Sequence, residues 1–397
     1  MVDWRRNLVI LFFAQFTAIF GFAFCFPFIP LYLSRDLGVH NAHDLAFWTG
    51  VSGSATGLAS AVVSPLWGVL ADRYGRKAML LRAMLGGGLS VAFIALARSP
   101  LELVVLRALQ GAVSGTVAAT TTLVATGTPR GHVGRAMGVI SSAVALGGAV
   151  GPFAGGVAAN YFPLRYVFLG GGVFLLVALL PVYIGVKEAP IVRRVEAGRT
   201  SLREVLHVAG PGTALAVAVL LISQTLVQIS WSGGQPLIAL RLLELSSAGA
   251  AGVTGLAFAA AGVASALAGV SYSRLAAATG YKRLAALAAF FAAAAMVLIG
   301  LSPTVVLIVV TTFIAGLGVG AALPAISAML GLETPPEIQG RVFGLSGSAT
   351  ALGFGLGPLL AGTIAGVLSV PVALFTMAGV ALLLAAVVAF AAREPAR

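Results

Sequence analysis

Charge is scarce in this 397-residue chain: Asp, Glu, Lys and Arg together make up 9% of it, against about a quarter in an average soluble protein. Cysteine is scarcer still. Cys25 stands alone, so no intramolecular disulfide can form, and neither a metal–thiolate cluster nor a Cys-pair redox site can be built. The four histidines (His40, His43, His132 and His207) and the 12 carboxylates fall between the long apolar runs or at their edges. No Ser/His, Cys/His or acid pair is therefore placed at depth for an intramembrane enzyme. A Gly-x-x-x-x-Gly-Lys-Ser/Thr phosphate loop is missing too, which argues against an ATP-driven pump. No prosthetic group or metal is implied.

What is abundant is apolar sequence, 59% of residues, with a mean hydropathy of +1.03. A helix needs roughly 20 apolar residues to cross the hydrocarbon of a bilayer, and twelve such runs follow one another from about residue 7 to residue 391. The opening Trp4-Arg5-Arg6 imitates a signal peptide, but the apolar run continues to Leu33 with no small-residue cleavage site, and it is expected to be the first span. The net charge of +12 raises the question of nucleic acid, and its placement answers it. With both termini in the cytoplasm, only Arg35, Arg98, Arg165 and Arg241 lie outside and Arg107 lies within a span; every other Lys and Arg is inside. The positive-inside rule accounts for the basic excess, and no nucleic-acid partner is needed.

Self-comparison shows the architecture. Gly134-Arg135-Ala136-Met137-Gly138 returns as Gly340-Arg341-Val342-Phe343-Gly344, and the same displacement of 206 carries Gly151-Pro152 onto Gly357-Pro358 and Gly156 onto Gly362. Two homologous halves follow. Between them lies the most charged stretch, Lys187 to Arg203. The expected organisation is an all-α integral membrane protein: an N-terminal six-helix bundle over 1–186, a cytoplasmic linker over 187–207 and a C-terminal six-helix bundle over 208–397, with a binding site where the pseudo-symmetric bundles meet.

Four motifs make the chain resemble a member of the major facilitator superfamily, and within it the twelve-span drug:proton antiporters of bacterial multidrug efflux. They are Gly68 to Lys77 between spans 2 and 3; Leu106-Arg107-Ala108-Leu109-Gln110-Gly111 in span 4; Gly147 to Gly156 in span 5; and Glu337 to Gly344 before span 11, with Gly357-Pro358 inside it. The resemblance implies a secondary exporter of amphipathic drug-like molecules in the bacterial cytoplasmic membrane. It would be a monomer, working by proton antiport through alternating access. A lipid, lysolipid or small-metabolite transporter, coupled or uncoupled, is the alternative. The resemblance also implies a cytoplasmic gate, in which Asp72 faces the start of span 11 and Gly68, Arg73, Gly75, Arg76 and Arg341 complete the closure; a plain stop signal of cytoplasmic charges would look the same. In the second half, Ser273 is expected where the acid would fall.

The residues themselves suggest where a cavity lies. Arg107 within a span is costly and should face a cavity or polar partners such as Gln110, or else snorkel towards Glu102. Gln224, Gln228, Trp231 and Gln235 share one face of span 7, fit either to line a cavity or to bond between helices. Gln15 and a phenylalanine stripe that includes Phe20 and Phe24 offer span 1 as an aromatic wall or as simple packing. Gly147, Gly151, Pro152, Gly155, Gly357 and Pro358 form glycine-dense, proline-bearing helices that can rock on their neighbours or merely pack tightly. The drug:proton antiporters resembled here commonly carry an acid buried in a span, and this chain has none. Coupling would then run through a rim acid such as Asp72, Glu102 or Glu244, or be absent.

Overall fold

A computed structural model describes residues 3–188, 202–246, 249–335 and 338–394, apart from the side chains of 72, 130, 202–211, 340 and 341. Residues 189–201 of the linker therefore lie outside the described residues, as do Glu337 and the side chains of Asp72 and Arg341. The described residues contain helices and no strand. Twelve helical runs are long and apolar enough to cross a membrane: Trp4–Arg35, Ala42–Ala71, Arg76–Ile94, Pro100–Gly127, Val133–Tyr161 and Leu164–Gly185, then Gly212–Leu245, Ala250–Thr279, Tyr281–Leu301, Val305–Glu333, Val342–Val367 and Val370–Ala391. They are numbered spans 1 to 12. Because spans alternate in direction and are even in number, both termini share one face, here the terminal face; the opposite one is the distal face.

Helix starts are capped in two ways. On the distal face spans 2, 4, 10 and 12 begin behind Asn41, Ser99, Thr304 and Ser369, whose side chains accept from their own first-turn amides. On the terminal face spans 3 and 9 begin behind Gly75 (φ 98°) and Gly280 (φ 88°), which have no side chain to lend. Glu188, just past span 6, accepts instead from the Arg76 and Lys77 amides at 2.9 and 3.0 Å. Glu394, just past span 12, accepts from those of Tyr281 and Lys282 at 2.8 Å each. The pairing of Gly75 with Gly280 corrects the expected register of the second-half loop: the residue equivalent to Asp72 is Ala277, not Ser273. It carries no acid in either register.

Small residues set the packing, as expected where lipid provides no hydrophobic drive between helices. Gly147, Gly151 and Gly155 turn one side of span 5 to the span 1 backbone at Phe16, Phe20 and Phe24. Pro152 and Gly156 turn the other side to Gly255 of span 8. Span 11 repeats the scheme: Gly353 and Gly357 lie on span 7, while Gly355, Pro358 and Gly362 lie on Gly57, Gly53 and Gly50 of span 2.

These crossings between the halves run from the distal face to about mid-span, where Gly57 meets Gly355 and Gly262 meets Ala149. One apolar cluster on the distal side draws on both halves, running from Phe28, Tyr32 and Phe168 to Leu237, Phe258 and Leu374. On the terminal side each half keeps a separate cluster, one around Leu11, Leu80 and Ile140 and the other around Val217, Ala285 and Ile326. The halves therefore meet at the distal face and part towards the terminal face. A Cβ built on Gly68, Gly134, Gly138, Gly344 or Gly347 would meet nothing within 4 Å, and Val62 and Val69 are 78% and 68% exposed.

Candidate functional site

Arg107 lies in the distal half of span 4, beside Ser52 and Thr56 of span 2. It is buried, 5% exposed. Its Nε donates to the Ser52 carbonyl at 3.3 Å and one terminal nitrogen to Gln110 Oε1 at 2.7 Å, while the guanidinium lies 4.3 Å from the centre of the Phe26 ring. Span 2 answers through Thr56, whose hydroxyl donates to the Arg107 carbonyl at 3.0 Å. Phe26 opens a 3-10 turn, Phe26–Phe28, that interrupts span 1 at Pro27, and this turn presents the ring to the cation. Glu102 is not a partner: it accepts from the backbone of Arg98 at 2.8 Å and is exposed at the rim. Hence Arg107 and Gln110 form one unit, and Glu102 belongs to a helix cap.

The two glutamines Gln15 and Gln224 hold equivalent places, since span 1 meets Gly147 of span 5 one residue beyond Gln15 and span 7 meets Gly353 of span 11 one residue beyond Gln224. Both are buried, at 0% and 1% exposure. Gln224 donates to Ser327 of span 10 at 3.1 Å and accepts from Ser346 of span 11 at 2.7 Å. Gln15 accepts from Thr120 of span 4 at 2.8 Å, and its amide nitrogen has no hydrogen-bond partner. Both are thus interhelical contacts in this state. Further along span 7, Gln228, Trp231 and Gln235 are half-buried; Gln228 lies against Gly353 and Trp231 against the distal cluster. Phe20 and Phe24 are half-buried and stand 5.7 Å apart, each edge-on to Phe174 of span 6 at 4.9 and 5.5 Å. Such an aromatic corner suits packing and an apolar wall equally.

On the terminal face Arg73 is exposed beside Tyr74, and Arg76 leads span 3. A Cβ on Gly68 would meet nothing within 4 Å, and the side chains of Asp72 and Arg341, which would complete the gate, lie outside the described residues. The distal face is braced within each half: Arg165 pairs with Asp36 at 3.5 Å and donates to the Ala95 and Ala97 carbonyls, and Arg241 pairs with Glu244 at 2.8 Å and donates to the Ser302 carbonyl. Burial raises the Asp36 carboxyl above its ordinary value, and Arg165 offsets part of that rise. Between the halves, His43 Nδ1 lies 2.7 Å from the Gly366 carbonyl.

Reasoning from sequence missed three features. Glu188 and Glu394 were legible in hindsight, because Lys187-Glu188 and Arg393-Glu394 stand at the displacement of 206 that relates the halves. Arg82, counted with the cytoplasmic cations, lies inside span 3 with its guanidinium 3.6 Å from the Trp67 ring. Span 4 is not continuous: it breaks at Ser114-Gly115, a Ser/Gly pair being the one local signal. Among the described residues no group of His, Cys, Asp and Glu could hold a metal.

The family model described as Major Facilitator Superfamily matches residues 11–227 and 220–397. Multidrug resistance protein MdtG of Escherichia coli O1:K1 is 30% identical over 369 residues, 91% of this chain and 88% of the relative. The protein of the same name from Escherichia fergusonii is 31% identical over the same shares. Among solved structures, the human organic anion transporter MFSD10 (TETRAN) aligns with a TM-score of 0.70 at 20% identity, covering 98% of this chain and 100% of that one. A bacterial homolog of the human lysosomal transporter Spinster, in an inward-facing and occupied conformation, aligns with a TM-score of 0.77 at 14% identity, covering 97% and 96%.

Proposed function

We propose a function for a chain that belongs to the major facilitator superfamily, and so is a multi-pass membrane transporter and not an enzyme: it exports amphipathic, drug-like small molecules by proton antiport. The observation that carries this is the relationship to a multidrug resistance protein along 91% of the chain. Charge supports the orientation. The terminal face bears Arg5, Arg6, Arg73, Arg76, Lys77, Lys187, Lys282, Arg283 and Arg393, and the distal face Arg35, Arg98, Arg165 and Arg241, so the terminal face is cytoplasmic in a bacterial inner membrane. The state described above is then inward-facing, and alternating access reverses it by parting the glycine crossings of spans 2, 5, 8 and 11. The cytoplasmic gate of Asp72, Arg341 and the start of span 11 closes only in the other state. The bundles divide at 186 and 208, the protein works as a monomer, and substrate is held between spans 1, 4 and 5 and span 7.

A second reading, an uncoupled carrier of lipids or small metabolites, has one observation in its favour: among the described residues no carboxylate is buried within a span. Reconstitution in liposomes separates the two. A neutral amphiphilic dye would be followed with and without an imposed pH gradient, beside Asp72→Asn. Uphill movement driven by the gradient supports antiport; equilibration indifferent to pH overturns it in favour of the carrier.

A further inference from the structure

Spans 4 and 10 hold equivalent places, Gly111 packing on the Thr56 carbonyl as Gly316 packs on that of Ala261, yet they differ a few residues further on. Span 4 runs as Pro100–Val113, stops at Ser114 and Gly115, and resumes as Thr116–Gly127. Gly115 has φ +117° and ψ 34°, a backbone that residues with a side chain rarely adopt. Span 10 passes through the equivalent stretch, up to Gly320, as one helix.

A broken helix inside a bilayer strands its carbonyls unless protein supplies donors. Here two side chains do so. Trp67 Nε1 of span 2 donates to the Ala112 carbonyl at 2.6 Å, and Arg82 of span 3 donates to those of Val113 at 2.8 Å and Ser114 at 3.4 Å. Three consecutive carbonyls at the negative end of the first segment thus meet a cation and an indole stacked on each other. The second half serves as an internal control. Where Trp67 and Arg82 stand, it has Tyr272 and Leu287; Leu287 is 52% exposed and has no donor to give, and span 10 is unbroken.

The break changes span 4's neighbours. The first segment is tied to span 2 through Arg107, Ser52 and Thr56, whereas the second joins span 1 through Thr120 and Gln15 and the apolar cluster of Leu11, Leu123 and Ile140. Gly115 stands in open space, while its counterpart Gly320 is pressed on Ser265 of span 8. Span 4 leaves span 2 at this point; span 10 stays on span 8.

We propose that Arg82, together with Trp67, is a positioning residue that keeps span 4 divided, so that the second segment moves with spans 1 and 5 while the first stays on span 2 with Arg107. The division stands on geometry; its consequence for transport rests on the function proposed above. Hydrogen–deuterium exchange of the purified full-length protein tests it in two variants. Arg82→Leu copies the second half, and Gly115→Ala opposes the left-handed backbone without touching Arg82. The amides of 116–118 have no intrahelical partner in the divided span, Ala119 being the first to reach back, to Gly115. In both variants they should exchange about tenfold more slowly as the helix closes, with peptides over 316–322 unchanged. Dye transport should fall by about the same factor, and Arg82→Lys, which keeps the charge without the planar fork, should fall between. Unchanged exchange over 116–118 in Arg82→Leu overturns the proposal, as does full transport by a variant whose span has closed. If Arg82→Leu loses protection everywhere, Gly115→Ala decides. A wild type that moves no dye counts against the transport function alone, because the exchange result still stands.

Discussion

Glu188 and Glu394 stand in the same relation to their halves: each carboxylate lies just past the last span and accepts two amides at the start of that half's third span. Each fills a cap that Gly75 or Gly280 cannot provide. Glu188→Ala should lower stability in detergent by about 1 kcal/mol, as for loss of an N-cap, and Glu394→Ala by less, since Glu394 is exposed. The two share no partner, so the double variant should show their sum. Unaltered melting in all three would mean that solvent caps these helices equally well.

Distal closure depends on backbones in contact. A Cβ on Gly57 would lie 2.6 Å from Gly355 Cα, and one on Gly50 the same distance from Gly362 Cα. Gly57→Val should therefore hold the distal side apart. With Cys25 replaced by Ser and a cysteine introduced at the buried Ala46, labelling from the distal side by an impermeant maleimide should rise several-fold. No rise would mean that the crossing is not what seals this face.

Arg107 joins Phe26, Ser52 and Gln110. Arg107→Ala removes both donors and should abolish dye export while leaving the helices intact. Arg107→Lys keeps the charge but cannot reach Ser52 and Gln110 together, so export should drop by about tenfold, close to 1.4 kcal/mol. A cation without a buried acid also favours neutral or anionic amphiphiles over dications; strong export of a dicationic dye by the unaltered protein, undiminished in Arg107→Ala, would sink that preference.

Gln15 and Gln224 are equivalent in position and unequal in satisfaction. Gln224→Leu strands Ser327 and Ser346 and should destabilise by about 0.6 kcal/mol or more. Gln15→Leu strands one hydroxyl, that of Thr120, but also removes an amide nitrogen that has no partner, and should cost less than Gln224→Leu. The opposite order of melting temperatures would reverse this assignment.

Asp36 gives the distal face a pH dependence. Its carboxyl is raised by burial, so the folded protein holds that proton more tightly than the unfolded chain does. The stabilisation is complete below about pH 4, the unfolded aspartate value, and is lost as pH rises through the raised folded value. Asp36→Asn should flatten the fall in melting temperature above pH 4. An identical slope in the variant would place its origin elsewhere.

Composition and spacing alone determined that this chain spans a bilayer twelve times, that it consists of two related halves, and that its cations gather on one face. Each follows from residues read locally or from a long repeat: apolar run length, the return of Gly134-Arg135 as Gly340-Arg341, and the placement of Arg and Lys. Tertiary structure decided what depends on groups far apart in the chain meeting in space. It set which face is sealed, through Gly57 on Gly355 and Gly156 on Gly255. It turned Gln15 and Gln224 into helix contacts, and it brought Glu188 to the start of span 3. It also placed Arg82 and Trp67 against the carbonyls of Ala112 to Ser114, where a helix can end within a membrane only because other segments supply the hydrogen bonds that lipid cannot.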